Sequence, residues 1–407
     1  MTDKEVLKIK KDFPWFKNNP KLTYIDSSAT SLKPKCVVEA VEDWYFKYCT
    51  NTHNTDSTFA YKTTEMVADV RKQIAKHLNV KTEEVIFTSG ATESLDLILF
   101  GLRDFVKKGD EIILSYTEHT SNFLPCQILA RWTGAKLVFA SKKLYYTEKD
   151  IINKVNKKTR LISICSSSNI LGYELDFKKI ATEAKKKNPN VIVVIDATQT
   201  IPDSKHDIGN SNIDFLAFSG HKMLGPTGIG VCYINKKWTK KIKPYRVGGG
   251  MNSTVCEKSF CYADGPDKFE GGTPNIAGIV GLGAALKYLN KIGWNKIYQH
   301  EIELKKYADK KFAQIKNIEY YSKPGKFPIL FFNLKGLNAQ DLAAYLSTKG
   351  FIVRSGVSCV KMSPVVSHVD AAVRASLYVY NTRKDIDKLV DALKKYKKGA
   401  ELDHVIF

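Results

Sequence analysis

Lys222 stands behind Ser219 and His221 in the stretch "FSGHKMLGPTGIGV", between two short apolar runs, "DFLAFSG" and "GIGVCYIN". An amine at the end of a buried strand can form a Schiff base with an aldehyde when its surroundings lower its hold on a proton. Asp196 closes a second apolar run, "NVIVVIDATQ", where a carboxylate needs a cation or donors to offset its burial. A protonated ring nitrogen is one such cation. In "TSGATES" a predicted strand turns into a helix through a glycine and small hydroxyl residues, which leaves backbone N–H groups and a positive helix end for a phosphate. His119, just past another strand, can stack on a ring and shuttle protons. Amine, ring-nitrogen acid and phosphate cup together describe pyridoxal 5′-phosphate, a heteroaromatic electron sink. Taken singly, "TSGATES" reads equally as an N-cap and Asp196 as a structural strand end.

These residues need a scaffold that gathers strand ends. From residue 21, short β-rich runs alternate with helical ones, the pattern of stacked βα units and a largely parallel sheet. Seven strands are predicted, in "EVIFTSG", "DEIILSY", "AKLVFAS", "TRLISICS", "NVIVVIDATQ", "DFLAFSG" and "GIGVCYIN". Ligands of such sheets bind at the carboxyl ends of the strands. That end collects Thr88 to Thr92, His119, Asn169, Asp196 with Gln199, and Ser219 with His221 and Lys222. After "FEGGTPN" the pattern changes to a long helix, then to helices mixed with short strands of a smaller sheet, "FPILFFNLKG", "GFIVRSGVSC" and "AAVRASLYVYN". The expected organisation is an arm over residues 1–20 packing on the small domain, a large domain over 21–285 and a small α+β domain over 286–407.

The chain has 407 residues, 43% hydrophobic and 26% charged, a globular composition. No stretch approaches a spanning helix, and the basic start lacks the apolar core of a secretory signal. A cytoplasmic location without membrane contact is expected. The eight cysteines form no CxxC pair and no zinc-ligand spacing, so no metal is expected and most are read as buried small hydrophobes. The formal charge of +21 leaves nucleic-acid binding open. Against it, the lysines are spread along helical stretches such as "LVDALKKYKKGA", and no direct nucleic-acid contact is expected.

The motifs "FSGHKMLGPTGIGV", "IDATQ", "TEHTSN", "SSNILG", "FEGGTPN" and "VRASLYVYN" resemble the class V aminotransferase family of fold-type I pyridoxal-phosphate enzymes, and within it the SUF-type cysteine desulfurases. The resemblance runs from about residue 20 to the end. It implies the fold-type I transferase fold, with a large domain on a mainly parallel seven-stranded sheet and a smaller α+β C-terminal domain. The implied reaction takes sulfur from L-cysteine, releases alanine and leaves a persulfide on Cys359. Lys222 would carry the cofactor, His119 would stack and act as acid/base, Asp196 would face the ring nitrogen, and Gln199 would bond the phenolic oxygen. Ala91, Thr92, Ser219 and His221 would line the phosphate, with Asn169 also at the cofactor. Thr273 would reach the phosphate of a partner subunit, implying a homodimer. Arg374, Asn169 and Ala29 would bind the substrate. The sulfur would pass to a scaffold or relay protein for iron–sulfur cluster assembly or tRNA thiolation. A selenocysteine lyase or an aminotransferase remains the alternative on this fold.

The sequence departs from the family in three places. Val357 and Ser358 replace two histidines before Cys359, "NTHNTDST" lacks an arginine and a second histidine, and Ala91 stands where a hydroxyl is usual.

Overall fold

The computed structural model describes residues 1–52, 56–322, 325–397 and 399. The chain divides into two compact units, one of Cys36–Ser166 with Leu175–Lys291, the other of Met1–Lys35, Ser167–Glu174 and Ile292–Phe407.

The larger unit is built on the seven anticipated strands: β1 (Val85–Thr88), β2 (Glu111–Leu114), β3 (Lys136–Phe139), β4 (Thr159–Cys165), β5 (Ile192–Asp196), β6 (Phe215–Ser219) and β7 (Gly230–Ile234). They form one sheet in the order β1-β7-β6-β5-β4-β2-β3. All neighbours pair in parallel except at β7, which is antiparallel to both β1 and β6. The link from β6 to β7 is too short to hold the crossover that a parallel pair requires, so the chain reverses instead. Every residue of β5, β6 and β7 is buried. This explains why these strands read as continuous apolar runs rather than as alternating ones.

The smaller unit holds an antiparallel sheet of β8 (Ile318–Tyr320), β9 (Ile329–Leu334), β10 (Arg354–Gly356) and β11 (Ala372–Ser376), in the order β8-β9-β11-β10. Leu330, Phe332, Val373 and Ala375 share one apolar cluster with Ile386, Leu389, Val390 and Leu393. Those four positions make a single stripe along the terminal helix Arg383–Lys395. Residues 21–35, expected with the large domain, group with this smaller unit. Thr23 and Tyr24 pair in parallel with Phe351 and Ile352, and Asp26 bridges to Ser376.

Two further findings depart from the sequence reading. A hairpin of Asn252–Cys256 and Ser259–Tyr262 was not anticipated, because its residues are almost all exposed and show no alternation. Most cysteines are also not buried: Cys126, Cys165 and Cys232 are, whereas Cys36, Cys49, Cys256, Cys261 and Cys359 are exposed. The buried three lie on elements packed into the large sheet, and the others lie on outer faces and loops. No helix among the described residues is long and apolar enough to cross a membrane.

Gly230 opens β7 between Thr88 and Ser219. A Cβ there would lie 2.5 Å from the Gly90 Cα, against backbone that cannot yield. Gly230→Ala is expected to cost about 2 kcal/mol of unfolding free energy, measured by urea denaturation, and to loosen the loop at Gly90.

Candidate active site

β5 and β6 run in parallel with Asp196 opposite Ala217, so the turn after β6 brings Ser219, His221 and Lys222 to the sheet edge where Asp196 ends. Lys222 closes a single helical turn, Gly220–Lys222. The Gly220 N–H donates to Ile229 O at 2.9 Å, and Gly220 O accepts from the Met223 and Gly225 N–H groups, each at 3.0 Å. Leu224 is held in the left-handed region at φ 63. The backbone on both sides of Lys222 is therefore fixed, and its side chain is half-buried.

Ser219 Oγ accepts the Ala91 N–H at 2.8 Å, joining the end of β6 to the start of the helix Ala91–Gly101. That helix begins at Gly90 with no side-chain cap. Its first turn presents N–H groups and a positive dipole end to an anion. At position 91 the main-chain N–H is already given to Ser219 Oγ, and the alanine offers no hydroxyl to an anion. The Thr92 and Ser121 hydroxyls share a hydrogen bond of 2.8 Å. This ties the cradle to the helix Thr120–Thr133, whose N-cap is His119. His119 Nδ1 accepts the Ser121 N–H at 3.1 Å, so the neutral ring carries its proton on Nε2.

Asp196 is 6% exposed. Its Oδ1 accepts from the Thr198 N–H at 3.1 Å and from the Thr198 hydroxyl, while Oδ2 has no hydrogen bond among the described residues. A carboxylate oxygen left without a donor at a buried strand end suits a protonated ring nitrogen. With the uncapped helix and the half-buried lysine, these residues fit pyridoxal 5′-phosphate. Gln199 follows in the turn closed by the Thr200 N–H to Ala197 O bond of 3.1 Å. Thr273 is not joined to these groups: its hydroxyl accepts from Asn51 Nδ2 at 3.2 Å. It lines a cleft of about 230 Å³ together with Thr88, Ser89 and Gly228.

Sequence reasoning missed Glu118. It is 1% exposed, and accepts from Ser115 Oγ at 2.6 Å, Asn122 Nδ2 at 2.8 Å and the Cys165 N–H at 2.8 Å. Burial pushes its carboxyl up to about 7; the Ser115 and Asn122 bonds oppose this and the Asp196 carboxylate adds to it. Its position directly before His119 in "TEHTSN" was the available signal, but its burial was not legible.

The smaller unit gathers the other set of residues. Arg374, 1% exposed on β11, donates from Nη2 to Asp26 Oδ1 at 2.9 Å and from Nη1 to Asn169 O at 3.1 Å. Its buried Nε has no hydrogen-bond partner among the described residues. Arg354 lies directly opposite Arg374 across the β10–β11 pair, and both its Nε and Nη2 approach Asp26 Oδ2 at 3.3 Å. One carboxylate thus compensates two like charges that would otherwise repel. Asp26 was not singled out in the sequence. Ala29 sits on the same loop, its N–H donating to Asp26 O at 3.0 Å.

Asn169 belongs to this unit, in the loop held by Gly172, where φ is 66 and a Cβ would lie 2.7 Å from Phe327 O. Its Nδ2 donates to Ser358 O at 2.9 Å. Ser358 and the exposed Cys359 are the central residues of a turn closed by the Val360 N–H to Val357 O bond of 2.8 Å. The His53, Asn54 and Thr55 part of "NTHNTDST" lies outside the described residues.

The aminotransferase class-V family pattern matches residues 23–389. The chain is 46% identical over 398 residues to a probable cysteine desulfurase of Ureaplasma parvum, covering 98% of this chain and 99% of that protein. Among solved structures it resembles the apo form of a cysteine desulfurase from Thermococcus onnurineus, with a TM-score of 0.90, 33% identity and coverage of 95% and 97%. It also resembles the cysteine desulfurase CsdA of Escherichia coli in an S-sulfonic acid form, with a TM-score of 0.89, 30% identity and coverage of 98% of both chains.

Glu118 binds its proton more tightly in the folded chain than when unfolded, so its contribution is present below about pH 4.5 and is lost as pH rises toward 7. Glu118→Gln keeps the acceptor for Asn122 and Cys165 and removes the charge. In cofactor-free protein at pH 8 it is expected to raise stability by about 2 kcal/mol, a gain that disappears at pH 4. Urea unfolding across pH checks this; a constant difference between the two proteins would refute it.

Proposed function

The chain belongs to the class-V aminotransferase family, and we propose that it works as a pyridoxal-phosphate-dependent cysteine desulfurase through Lys222, His119 and Cys359. The observation that carries the cofactor half is the pairing of β5 with β6, which sets the donor-poor Asp196 carboxylate and Lys222 at one sheet edge. Bound there, pyridoxal 5′-phosphate supplies an electron sink for the α-carbon of an amino acid. Ala91, Thr92, Ser219 and His221 would line its phosphate, Asp196 would face its protonated ring nitrogen, and Gln199 would bond its phenolic oxygen. Lys222 Nζ anchors it and then moves protons. His119 stacks on it and holds a proton at Nε2.

L-Cysteine is recognised by its carboxylate, for which Arg374, Asn169 and the Ala29 loop provide cationic and polar groups. The thiolate of Cys359 attacks the substrate sulfur. A sulfur–sulfur bond forms as the carbon–sulfur bond breaks, the electron pair of the broken bond stays with carbon, and a proton completes alanine. Cys359 is left as a persulfide. Its exposure on a turn supports onward transfer to an acceptor protein that docks at this turn, for cluster assembly or tRNA thiolation. Thr273, exposed and outside the group around Lys222, supports a homodimer in which it serves the partner's phosphate. A cytoplasmic setting suits an exposed thiol that must remain reduced.

The test measures alanine and sulfide from L-cysteine plus a dithiol reductant, for the wild type and Cys359→Ser. Equal yields of the two products from the wild type are expected, with loss of at least about 99% of both in the variant and retention of its cofactor absorbance. A fully active variant would leave a lyase or aminotransferase that does not use Cys359.

A further inference from the structure

Lys21, Lys349, Lys388, Lys395 and Lys397 line one cleft of about 640 Å³ in the smaller unit, and Asp391 is the one acid among its described lining residues. The five lysines come from three stretches of chain far apart in sequence. Lys388, Asp391 and Lys395 share an exposed face of the terminal helix Arg383–Lys395, opposite the stripe that packs into the core. Lys349 directly follows the helix Ala339–Thr348. Lys21 lies beside the next residue, Gly350, which is held at φ 81: the Gly350 carbonyl accepts the Thr23 N–H at 2.7 Å, and a Cβ there would lie 2.8 Å from Lys21 O. The two helices are joined by the Tyr345 hydroxyl, which donates to Ala392 O at 2.9 Å. The backbone that brings these lysines together is thus tied by hydrogen bonds.

Gathering like charges is unfavourable unless an opposite charge offsets them. Elsewhere the chain supplies that charge itself, as where Lys185, Lys237, Lys311 and Lys326 meet carboxylates. In the cleft none of the five amines has an ion pair or hydrogen bond among the described residues. Lys349 Nζ lies 5.2 Å from the centroid of the Tyr345 ring, which holds it over the cleft without neutralising it. A lysine is a point charge suited to phosphate oxygens, and several phosphates in a row match several amines. The volume is that of a small-molecule site. Tyr345 and Phe351, the aromatic part of the lining, are 2% and 4% exposed, so the cleft offers no ring on which a nucleic-acid base could stack. Recognition falls on the phosphates.

We propose that this cleft binds a small anion carrying a chain of phosphates, either an inorganic polyphosphate or the tail of a nucleotide. None of its lining residues belongs to the groups around Lys222, Arg374 and Cys359, so the proposal does not depend on the reaction assigned to them.

The experiment is isothermal titration calorimetry of the holoprotein, whose own phosphate cradle is occupied, with tripolyphosphate. One tripolyphosphate per chain is expected at low ionic strength, with affinity falling about tenfold at about 0.2 M salt through screening of the amines. The combined variant Lys349→Glu, Lys388→Glu, Lys395→Glu is expected to bind at least about tenfold more weakly. Lys142→Glu, Lys143→Glu and Lys158→Glu, at exposed positions of the other unit, make the same change in net charge and are expected to leave the affinity within about twofold. Lys388→Gln with Lys395→Gln removes two charges without adding acids and serves where the triple variant folds poorly, with weakening of about fivefold expected. An ATP affinity close to that of tripolyphosphate would assign the site to nucleotides, and a much lower one to inorganic polyphosphate. Absence of tripolyphosphate binding by the wild type, or equal losses in the two triple variants, would overturn the proposal. So would an RNA oligonucleotide whose binding needs the cleft lysines and which tripolyphosphate does not displace.

Discussion

A carboxylate at the buried end of a central strand, with one oxygen lacking a donor among the described residues, is the constraint on which the larger unit turns. Burying Asp196 in this way is unfavourable by itself, and Glu118 nearby adds a second buried acid whose proton affinity is raised by the same surroundings. A cation at this edge would offset the burial of both. The Asp196 carboxylate adds to the raised proton affinity of Glu118, so a positive charge bound at the Asp196 edge would favour the ionised form of Glu118. The strands β5, β6 and β7, buried along their whole length, give this edge the rigidity that positioning requires.

The smaller unit solves a charge problem of the opposite sign. Two arginines face each other across adjacent strands, and Asp26, reaching in from a loop that pairs with the end of the β11 sheet, neutralises part of their charge. What remains is an excess of positive charge around a buried guanidinium, which suits a substrate carboxylate. The same network passes through Asn169, whose amide donates to the Ser358 carbonyl next to Cys359.

Much of this was legible in the sequence because the information was local. Buried parallel strands announce themselves as apolar runs, and their ends follow from that pattern, so Asp196 and Ser219 close β5 and β6 as read, with Lys222 in the turn that follows. The direction of β7 depends on the length of its connection and was not read from pattern. Asp26 and Glu118 escaped notice because their importance arises from partners distant in sequence: Arg374 and Arg354 for one, Cys165 and Asp196 for the other. The hairpin over 252–262 has no buried face to impose a period. The exposure of five cysteines is likewise a tertiary outcome that residue type alone does not fix.

The most direct measurement is mass spectrometry of the peptide containing Cys359 after brief exposure of the holoprotein to L-cysteine without reductant. A desulfurase acting through Cys359 gains one additional sulfur atom on that peptide and on no other cysteine, and releases one alanine per persulfide formed. Alanine production with an unmodified Cys359, or sulfur found instead on Cys256 or Cys261, would contradict it.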